Sequence, residues 1–287
     1  MVSAADGRRL EVFIAGADAG PLVVSHGGTP SSGRTFPPLL ETARERGLRH
    51  VGYARPGYSE SDRSEGRTVA DCVADTAAIA DHLGADHFHT LGGSGGGPHA
   101  LACAALLPER VISAATIAGA APREAEGLDW YAGMADENVE EFGLAERGAA
   151  ALEPWLERET ERMAGAQAEE VADALGSLIS VVDREALNGD LAEFFTSSFP
   201  RAVKRGVFGW LDDDLAFVRR WGFDLSRIEV PVTIWHGAQD RFVPFEHGRW
   251  LADHVAGARP RLLADDGHLS LSIAHYGDVL GDLVERR

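Results

Sequence analysis

The segment that most constrains this chain is Gly92-Gly93-Ser94-Gly95-Gly96, in which one serine is enclosed by glycines. Residues 87–91 before it predict a strand, and residues 100–107 after it, rich in alanine and leucine, predict a helix. A strand that turns sharply into a helix at a serine is the context of a nucleophile elbow, and the turn needs glycine where side chains would collide with backbone. The first amides of the helix would point at Ser94, which suits an oxyanion. The alternative is a glycine-rich turn that binds phosphate.

Predicted strands and helices alternate along most of the chain. The predicted strands are residues 9–15, 21–25, 50–54, 87–91, 111–118, 232–235 and 261–264. The predicted helices are residues 36–46, 68–83, 100–107 and 245–255, and a last helix whose apolar face is formed by Ile273, Tyr276, Val279, Leu280 and Leu283. This alternation is typical of an α/β protein with a mostly parallel sheet and helices on both faces. Sites in such sheets lie at the carboxyl ends of the strands.

The alternation is interrupted after the strand predicted at 111–118. Residues 122–225 contain several short helical patterns and no convincing strand, and the alternation returns after Pro231. We therefore predict a core domain made of residues 1–121 and 226–287, with residues 122–225 inserted as a helical unit. The insertion carries 23 Asp and Glu against 10 Lys and Arg, so it is the more acidic part of the chain.

Charge and composition limit the partners of the protein. A net charge of −18 argues against binding to nucleic acid or to an anionic membrane surface. The two cysteines, Cys72 and Cys103, have apolar neighbours in predicted helices, so we expect buried free thiols in a reducing compartment. No segment reaches transmembrane length, and residues 1–6 lack the features of a signal peptide. We expect a cytoplasmic protein that acts on a small molecule.

Two further predicted strand ends carry residues that could activate Ser94. A serine hydroxyl needs a base to take its proton, and the base needs an acid to orient it. Asp240 follows the strand predicted at 232–235, and His268 follows the strand predicted at 261–264. The order Ser, Asp, His is one of the known orders for a catalytic triad.

Each of these assignments has a competitor. The chain has 11 histidines, and a histidine in a loop is more often structural than catalytic. Asp265 and Asp266 compete with Asp240, although both are too close to His268 in sequence to lie easily beyond its ring. Asp240 itself could serve only to cap the turn before Pro244.

With these residues in place, the chain resembles the α/β-hydrolase superfamily over essentially its whole length. The resemblance lies in residues 26–28 (His-Gly-Gly), 55–57 (Arg-Pro-Gly), 92–96, 236–244 and 267–268. It implies that Ser94 is the nucleophile, His268 the general base and acid, and Asp240 the orienting acid. It also implies an oxyanion hole made by the backbone N–H groups of Gly95 and Gly28, with Thr29 as the alternative second donor. No residue cluster has metal-ligand spacing and no dinucleotide motif is present, so we expect neither metal nor cofactor.

The superfamily inserts a helical cap after the strand that here is predicted at 111–118, so residues 122–225 would be this cap. The nucleophile is serine rather than aspartate, which argues against haloalkane dehalogenases and epoxide hydrolases. Ala54 stands where many relatives have aspartate, which puts details of that loop in doubt. The resemblance thus predicts a serine hydrolase that cleaves an ester or amide of a small to medium apolar molecule through an acyl-Ser94 intermediate.

Three alternatives stay open. The acidic cap could hold the free amine of a substrate, as in proline iminopeptidases, although Thr29 and Gly95 replace the proline and tryptophan usual in that group, and solvated helix faces explain the acidity more simply. Carbon–carbon hydrolases and cofactor-independent lyases use similar Ser, His and Asp sets. A non-catalytic binding protein on this fold is the third alternative, because fold does not fix function.

Overall fold

A seven-stranded sheet forms the centre of the computed structural model, which describes residues 1–164, 167–187 and 189–285. The strands run in the order β3-β5-β4-β6-β7-β8-β9, and every neighbouring pair is parallel except β3 with β5. The strands are β1 (Val2–Ser3), β2 (Arg9–Leu10), β3 (Val12–Gly16), β4 (Leu22–His26), β5 (Arg49–Tyr53), β6 (Phe88–Gly93), β7 (Val111–Ile117), β8 (Val232–Gly237) and β9 (Arg259–Leu263).

Helices cover both faces of the sheet, as the alternation predicted. The helices are α1 (Pro37–Glu45), α2 (Cys72–His82), α3 (Gly97–Leu106), α4 (Asp136–Arg147), α5 (Ala149–Ala164), α6 (Val171–Ala174), α7 (Val181–Ala186), α8 (Gly189–Ala202), α9 (Phe208–Phe217), α10 (Phe245–His254) and α11 (His268–Val284). Apolar side chains of α2, α3 and α10 join one core cluster, and those of α1 and α11 join a second cluster. The prediction of an α/β fold with a mostly parallel sheet is confirmed.

Two predicted elements differ from the structure. The strand predicted at 9–15 is two strands, because the backbone N–H of Glu11 donates to Ser61 Oγ at 2.9 Å instead of joining a ladder. The second of these strands pairs with β5, whereas β2 pairs with β1 in a separate two-stranded sheet. The last helix begins at His268, before its first predicted apolar position, which puts His268 at a helix N-terminus.

The insertion between β7 and β8 contains the helices α4 to α9. The described residues between 122 and 225 contain no strand, as predicted. The description leaves out residues 165, 166 and 188 of the insertion and residues 286 and 287 of the predicted core domain. The domain bounds remain a prediction, since Ala216, Phe217 and Trp221 of the insertion pack into the core cluster with α2, α3 and α10. Within the described chain, no helix is both long and apolar enough to cross a membrane.

Candidate active site

Ser94 occupies a strained turn at the carboxyl end of β6. Its φ is +52°, in the left-handed region that residues other than glycine rarely adopt, and such strain concentrates at functional sites. A Cβ at position 92 would lie 2.5 Å from the Gly96 carbonyl carbon, and a Cβ at position 96 would meet the His26 carbonyl at a similar distance. The structure therefore agrees with the steric reason for both glycines. The Ser94 side chain is half-buried and lines a cavity.

His268 and Asp240 form a buried hydrogen bond. His268 Nδ1 lies 2.7 Å from Asp240 Oδ2, and the ring stacks on Phe242 at a centroid distance of 4.5 Å. The other carboxylate oxygen, Asp240 Oδ1, accepts from the N–H groups of Phe242 and Val243, both at 2.9 Å. The turn after β8 thus fixes the carboxylate, and the carboxylate fixes the imidazole.

Neither of the two competing aspartates forms a hydrogen bond with the His268 side chain. Asp266 Oδ2 lies 3.2 Å from Nε2 of His275, and Asp265 is exposed. Of the three candidates, Asp240 alone has the position that an orienting acid requires.

Charges near His268 favour its protonated form. Burial lowers the pKa of the His268 imidazole, but the Asp240 carboxylate and then Asp183 raise it, and the net shift is upward. His236 lies 3.5 Å from Asp240 Oδ2, but burial lowers the pKa of His236, and its Nε2 donates to the Val243 carbonyl at 2.8 Å. The neutral His236 therefore supports the turn, and His268 is the histidine whose protonated form its surroundings favour.

Ser94 and His268 line the same cavity, and Gly28, Thr29 and Gly95 line it with them. Among the described residues no hydrogen bond joins Ser94 Oγ to His268; in proteins without bound substrate such bonds are often long. A Cβ on Gly28 would lie 3.3 Å from Ser94 Cβ, so the backbone after β4 closely approaches the serine. A Cβ on Gly95 would lie 3.0 Å from Thr29 Cβ and 3.1 Å from Phe217 Cζ, so this side of the turn is also closely packed.

A buried charge cluster, whose pairing the sequence analysis did not predict, supports the backbone at Gly28. Arg55 donates to the carbonyls of Gly27 at 2.5 Å and Gly28 at 2.7 Å, and it pairs with Asp213 of α9 at 2.5 Å. Asp213 also accepts from Arg67 Nη1 at 2.6 Å, Tyr58 Oη at 2.8 Å and Thr29 Oγ1 at 3.0 Å. Burial raises the pKa of Asp213, but Arg55 and Arg67 outweigh it and hold the pKa far below its usual range. An ionised carboxylate of the insertion thus anchors the loop of the proposed oxyanion hole.

The cavity in front of Ser94 has a volume of about 410 Å³ and lies between the sheet and the insertion. Its walls are largely aromatic and aliphatic, and the aromatic residues contributed by the insertion are Trp130, Phe142, Trp155, Phe194, Phe195, Phe199, Trp210 and Phe217. A cavity of this size with few polar groups suits a small or medium apolar ligand.

Of the four carboxyl side chains that line this cavity, those of Glu141 and Asp214 are buried. Glu141 Oε1 accepts from Trp210 Nε1 at 2.6 Å, whereas Asp214 accepts from no amide, amine or hydroxyl donor in the described part of the chain. Burial and then the neighbouring Glu141 raise the pKa of Asp214 well above its usual range. Burial also raises the pKa of Glu141, to about 7. The pair therefore holds at least one proton near neutral pH.

The two cysteines agree with the prediction made for them. Cys72 and Cys103 are both buried and unpaired, as predicted. In the described ranges, no group of three or more His, Cys, Asp or Glu side chains is placed to hold a metal ion.

Comparison with known proteins assigns the family. The profile of the family described as the alpha/beta hydrolase fold matches residues 20–273. The chain belongs to this family and is a hydrolase.

The curated relatives include three that align with most of this chain. The hydrolase YcgS of Bacillus subtilis (strain 168) is 25% identical over 98% of this chain and 96% of its own length. The pimeloyl-[acyl-carrier protein] methyl ester esterase of Chromobacterium violaceum is 28% identical over 87% of each chain. The proline iminopeptidase of Lactobacillus delbrueckii subsp. lactis is 26% identical over 92% of this chain and 90% of its own. The resemblance to proline iminopeptidases is therefore confirmed. The relatives of this chain also include an esterase.

Proposed function

We propose that Ser94, His268 and Asp240 form a catalytic triad, and that the N–H groups of Gly28 and Gly95 form the oxyanion hole. The Ser94 hydroxyl oxygen attacks the substrate carbonyl carbon while its proton passes to His268 Nε2. The bond to the leaving group breaks, and His268 returns the proton to that group. A water molecule then repeats these steps on the acyl-serine and regenerates Ser94.

This proposal depends mainly on one observation. His268, hydrogen-bonded to the buried Asp240, lines the same cavity as Ser94, whose backbone is strained. The preferred substrate is an ester or amide with a small to medium apolar acyl group, because the cavity is about 410 Å³ and mostly apolar. The insertion, residues 122–225, would act as the cap that excludes water from the reaction. The relationship to an esterase supports this choice.

A series of p-nitrophenyl esters with acyl chains of two to twelve carbons tests the proposal. We expect hydrolysis with an optimum at short or medium chains, a burst of nitrophenolate that equals the enzyme concentration, and loss of both in Ser94→Ala. Activity that survives in a folded Ser94→Ala protein would contradict the acyl-serine mechanism. Circular dichroism of the variant provides the control for folding.

The second candidate function is an aminopeptidase, and the carboxyl pair of Glu141 and Asp214 favours it. A buried carboxylate beside an apolar cavity is costly unless something compensates for it, and a substrate ammonium group would do so. Because the pKa of Glu141 is about 7, this binding should strengthen as pH rises through neutrality.

Prolyl- and alanyl-p-nitroanilides, compared with neutral esters of similar size, distinguish the two functions. An aminopeptidase would prefer the free amines and would lose that preference in Glu141→Gln. Glu140→Gln is the matched control, since Glu140 is an exposed residue of the same helix. Failure of the native protein to hydrolyse either p-nitroanilide would exclude this second function.

A further inference from the structure

A side chain of the insertion reaches the helix on which His268 lies. Asp183 of α7 accepts from His268 N at 3.0 Å with Oδ2, and from Leu269 N at 2.8 Å and Ser270 N at 2.9 Å with Oδ1. The hydroxyl of Ser270 adds a further bond to Oδ1 at 3.1 Å. Asp183 is completely buried, so no solvent competes with these bonds.

These bonds replace an ordinary helix cap. The first N–H groups of a helix lack partners within the helix and are usually satisfied by a side chain just before it. The residue before α11 is Gly267, which has no side chain, and the cap comes instead from a residue 85 positions earlier. A Cβ on Gly267 would lie 2.5 Å from Asp183 Oδ1, so glycine at 267 leaves the space that Asp183 occupies.

The Asp183 carboxylate is held in its charged form. Burial raises the pKa of Asp183, but the hydrogen bonds from Ser270 and His268 outweigh it and the net shift is downward. A further hydrogen bond comes from Ser180 Oγ, which lies 2.8 Å from Oδ2. A negative charge is also the charge that the N-terminus of a helix favours.

Titratable groups from the turn after β8, from β8 itself and from α7 lie near the His268 imidazole. Asp240 bonds to Nδ1, and the neutral His236 lies behind that carboxylate. Asp183 comes from α7, and the apolar Phe242 ring stacks on the imidazole. Two carboxylates on different elements therefore act on one imidazole.

We propose that Asp183 is a positioning residue for His268, by which the insertion fixes the location of the catalytic base and places a second carboxylate beside it. This inference rests on the proposed function, because it assigns His268 the role of base. Asp183 touches no reacting atom. It acts through its negative charge and through its hydrogen bonds with the first backbone N–H groups of α11.

The variant Asp183→Asn tests the proposal, with Glu185→Gln as its matched control. Glu185 is an exposed residue of the same helix, so the control makes the same change of charge without touching α11. Asp183→Ser is a second neutral variant with a smaller side chain, and it replaces Asp183→Asn in the test if the asparagine variant does not fold. The two readouts are the dependence of ester kcat/KM on pH and the NMR titration of the His268 Cε1–H signal, assigned by its loss in His268→Gln.

We expect both neutral variants to lower kcat about 10- to 100-fold, as small misplacements of a catalytic group do. We also expect the acidic limb of kcat/KM and the NMR titration of His268 to move to lower pH, because a carboxylate that favours the imidazolium has been removed. Glu185→Gln should leave kcat and both titrations unchanged. A fall in kcat with titrations that superimpose on those of the native protein would reduce Asp183 to a structural role and overturn the proposal.

The two readouts separate failure of this inference from failure of the proposed function. If the native protein hydrolyses no ester or amide, the proposed function fails, while the NMR titration still tests the effect of Asp183 on His268. If the native protein is active and Asp183→Asn matches it in kcat and titration, only the inference fails.

Discussion

Arg55 Nη2 lies 2.5 Å from Asp213 Oδ2, and both side chains are buried. This pair joins α9 of the insertion to the loop of Gly28, since Arg55 also donates to the carbonyls of Gly27 and Gly28. Removing one partner of a buried ion pair leaves the other charge uncompensated. The pair is therefore expected to matter for both folding and the geometry of the site.

Asp213→Asn should lower the free energy of unfolding by about 3–5 kcal/mol, because Arg55 and Arg67 would lose their buried anion. Asp212→Asn should cost only about 1 kcal/mol or less, since its partner Arg63 is partly exposed. Urea denaturation of both variants measures the difference. Equal losses for the two adjacent aspartates would contradict the account of the charge cluster.

Glu141→Gln should change how stability depends on pH. The folded-state pKa of Glu141 is raised to about 7, so its contribution is fully present below the unfolded value of about 4.3 and is lost as pH rises through 7. Glutamine does not titrate, so the variant does not lose stability in this way, and its amide oxygen can still accept the hydrogen bond from Trp210. Relative to the native protein, it should gain on the order of 2 kcal/mol between pH 4.5 and pH 8. A difference that stays constant across this range would show that Glu141 does not titrate there.

Local patterns made part of the site predictable. Ser94 was found from the glycines around it, because the turn that exposes a serine is defined by its immediate neighbours. Asp240 and His268 were found because each follows a predicted strand, and the ends of parallel strands meet at one edge of a sheet. Their pairing agrees with the prediction, while their catalytic role remains a proposal.

The supporting carboxylates could not be predicted in this way. Asp213 is 158 positions from Arg55, and Asp183 is 85 positions from His268, and no periodicity relates such distant residues. The acidity of the insertion favoured solvated helix faces, and five of its 23 acidic residues depart from that interpretation because they are buried: Glu141, Asp183, Asp212, Asp213 and Asp214. One local signal was present, since residues 212–214 are three aspartates within the otherwise apolar helix α9.

The effects of Gly267→Ala and Asp183→Ala on the free energy of unfolding should be strongly non-additive. In the native protein the new Cβ meets the Asp183 carboxylate, so Gly267→Ala should cost about 1–3 kcal/mol of stability. In the Asp183→Ala background the space is free, and most of this cost should disappear. Gly143→Ala is the control, because its Cβ meets no atom within 4 Å and its effect should add to that of Asp183→Ala. Additive effects of Gly267→Ala would contradict the close contact between Gly267 and Asp183.

Asp240→Asn should lower kcat by about 10⁴-fold while the protein stays folded, as expected when a triad acid no longer fixes the histidine tautomer. Asp266→Asn, which removes a partner of His275 instead, should reduce kcat far less. Steady-state ester hydrolysis by both variants decides the matter. A near-normal rate for Asp240→Asn would move the role of the acid to another residue.

The most direct test of the central claim is intact-mass spectrometry after reaction with a fluorophosphonate. An activated Ser94 attacks the phosphorus atom and releases fluoride, so the native protein should gain the mass of one probe less hydrogen fluoride. Ser94→Ala should gain nothing, and Ser272→Ala, which alters another serine that lines the cavity, should react like the native protein. A folded native protein without an adduct, or an adduct that persists in Ser94→Ala, would contradict the assignment of Ser94 as the nucleophile and favour a ligand-binding protein on this fold.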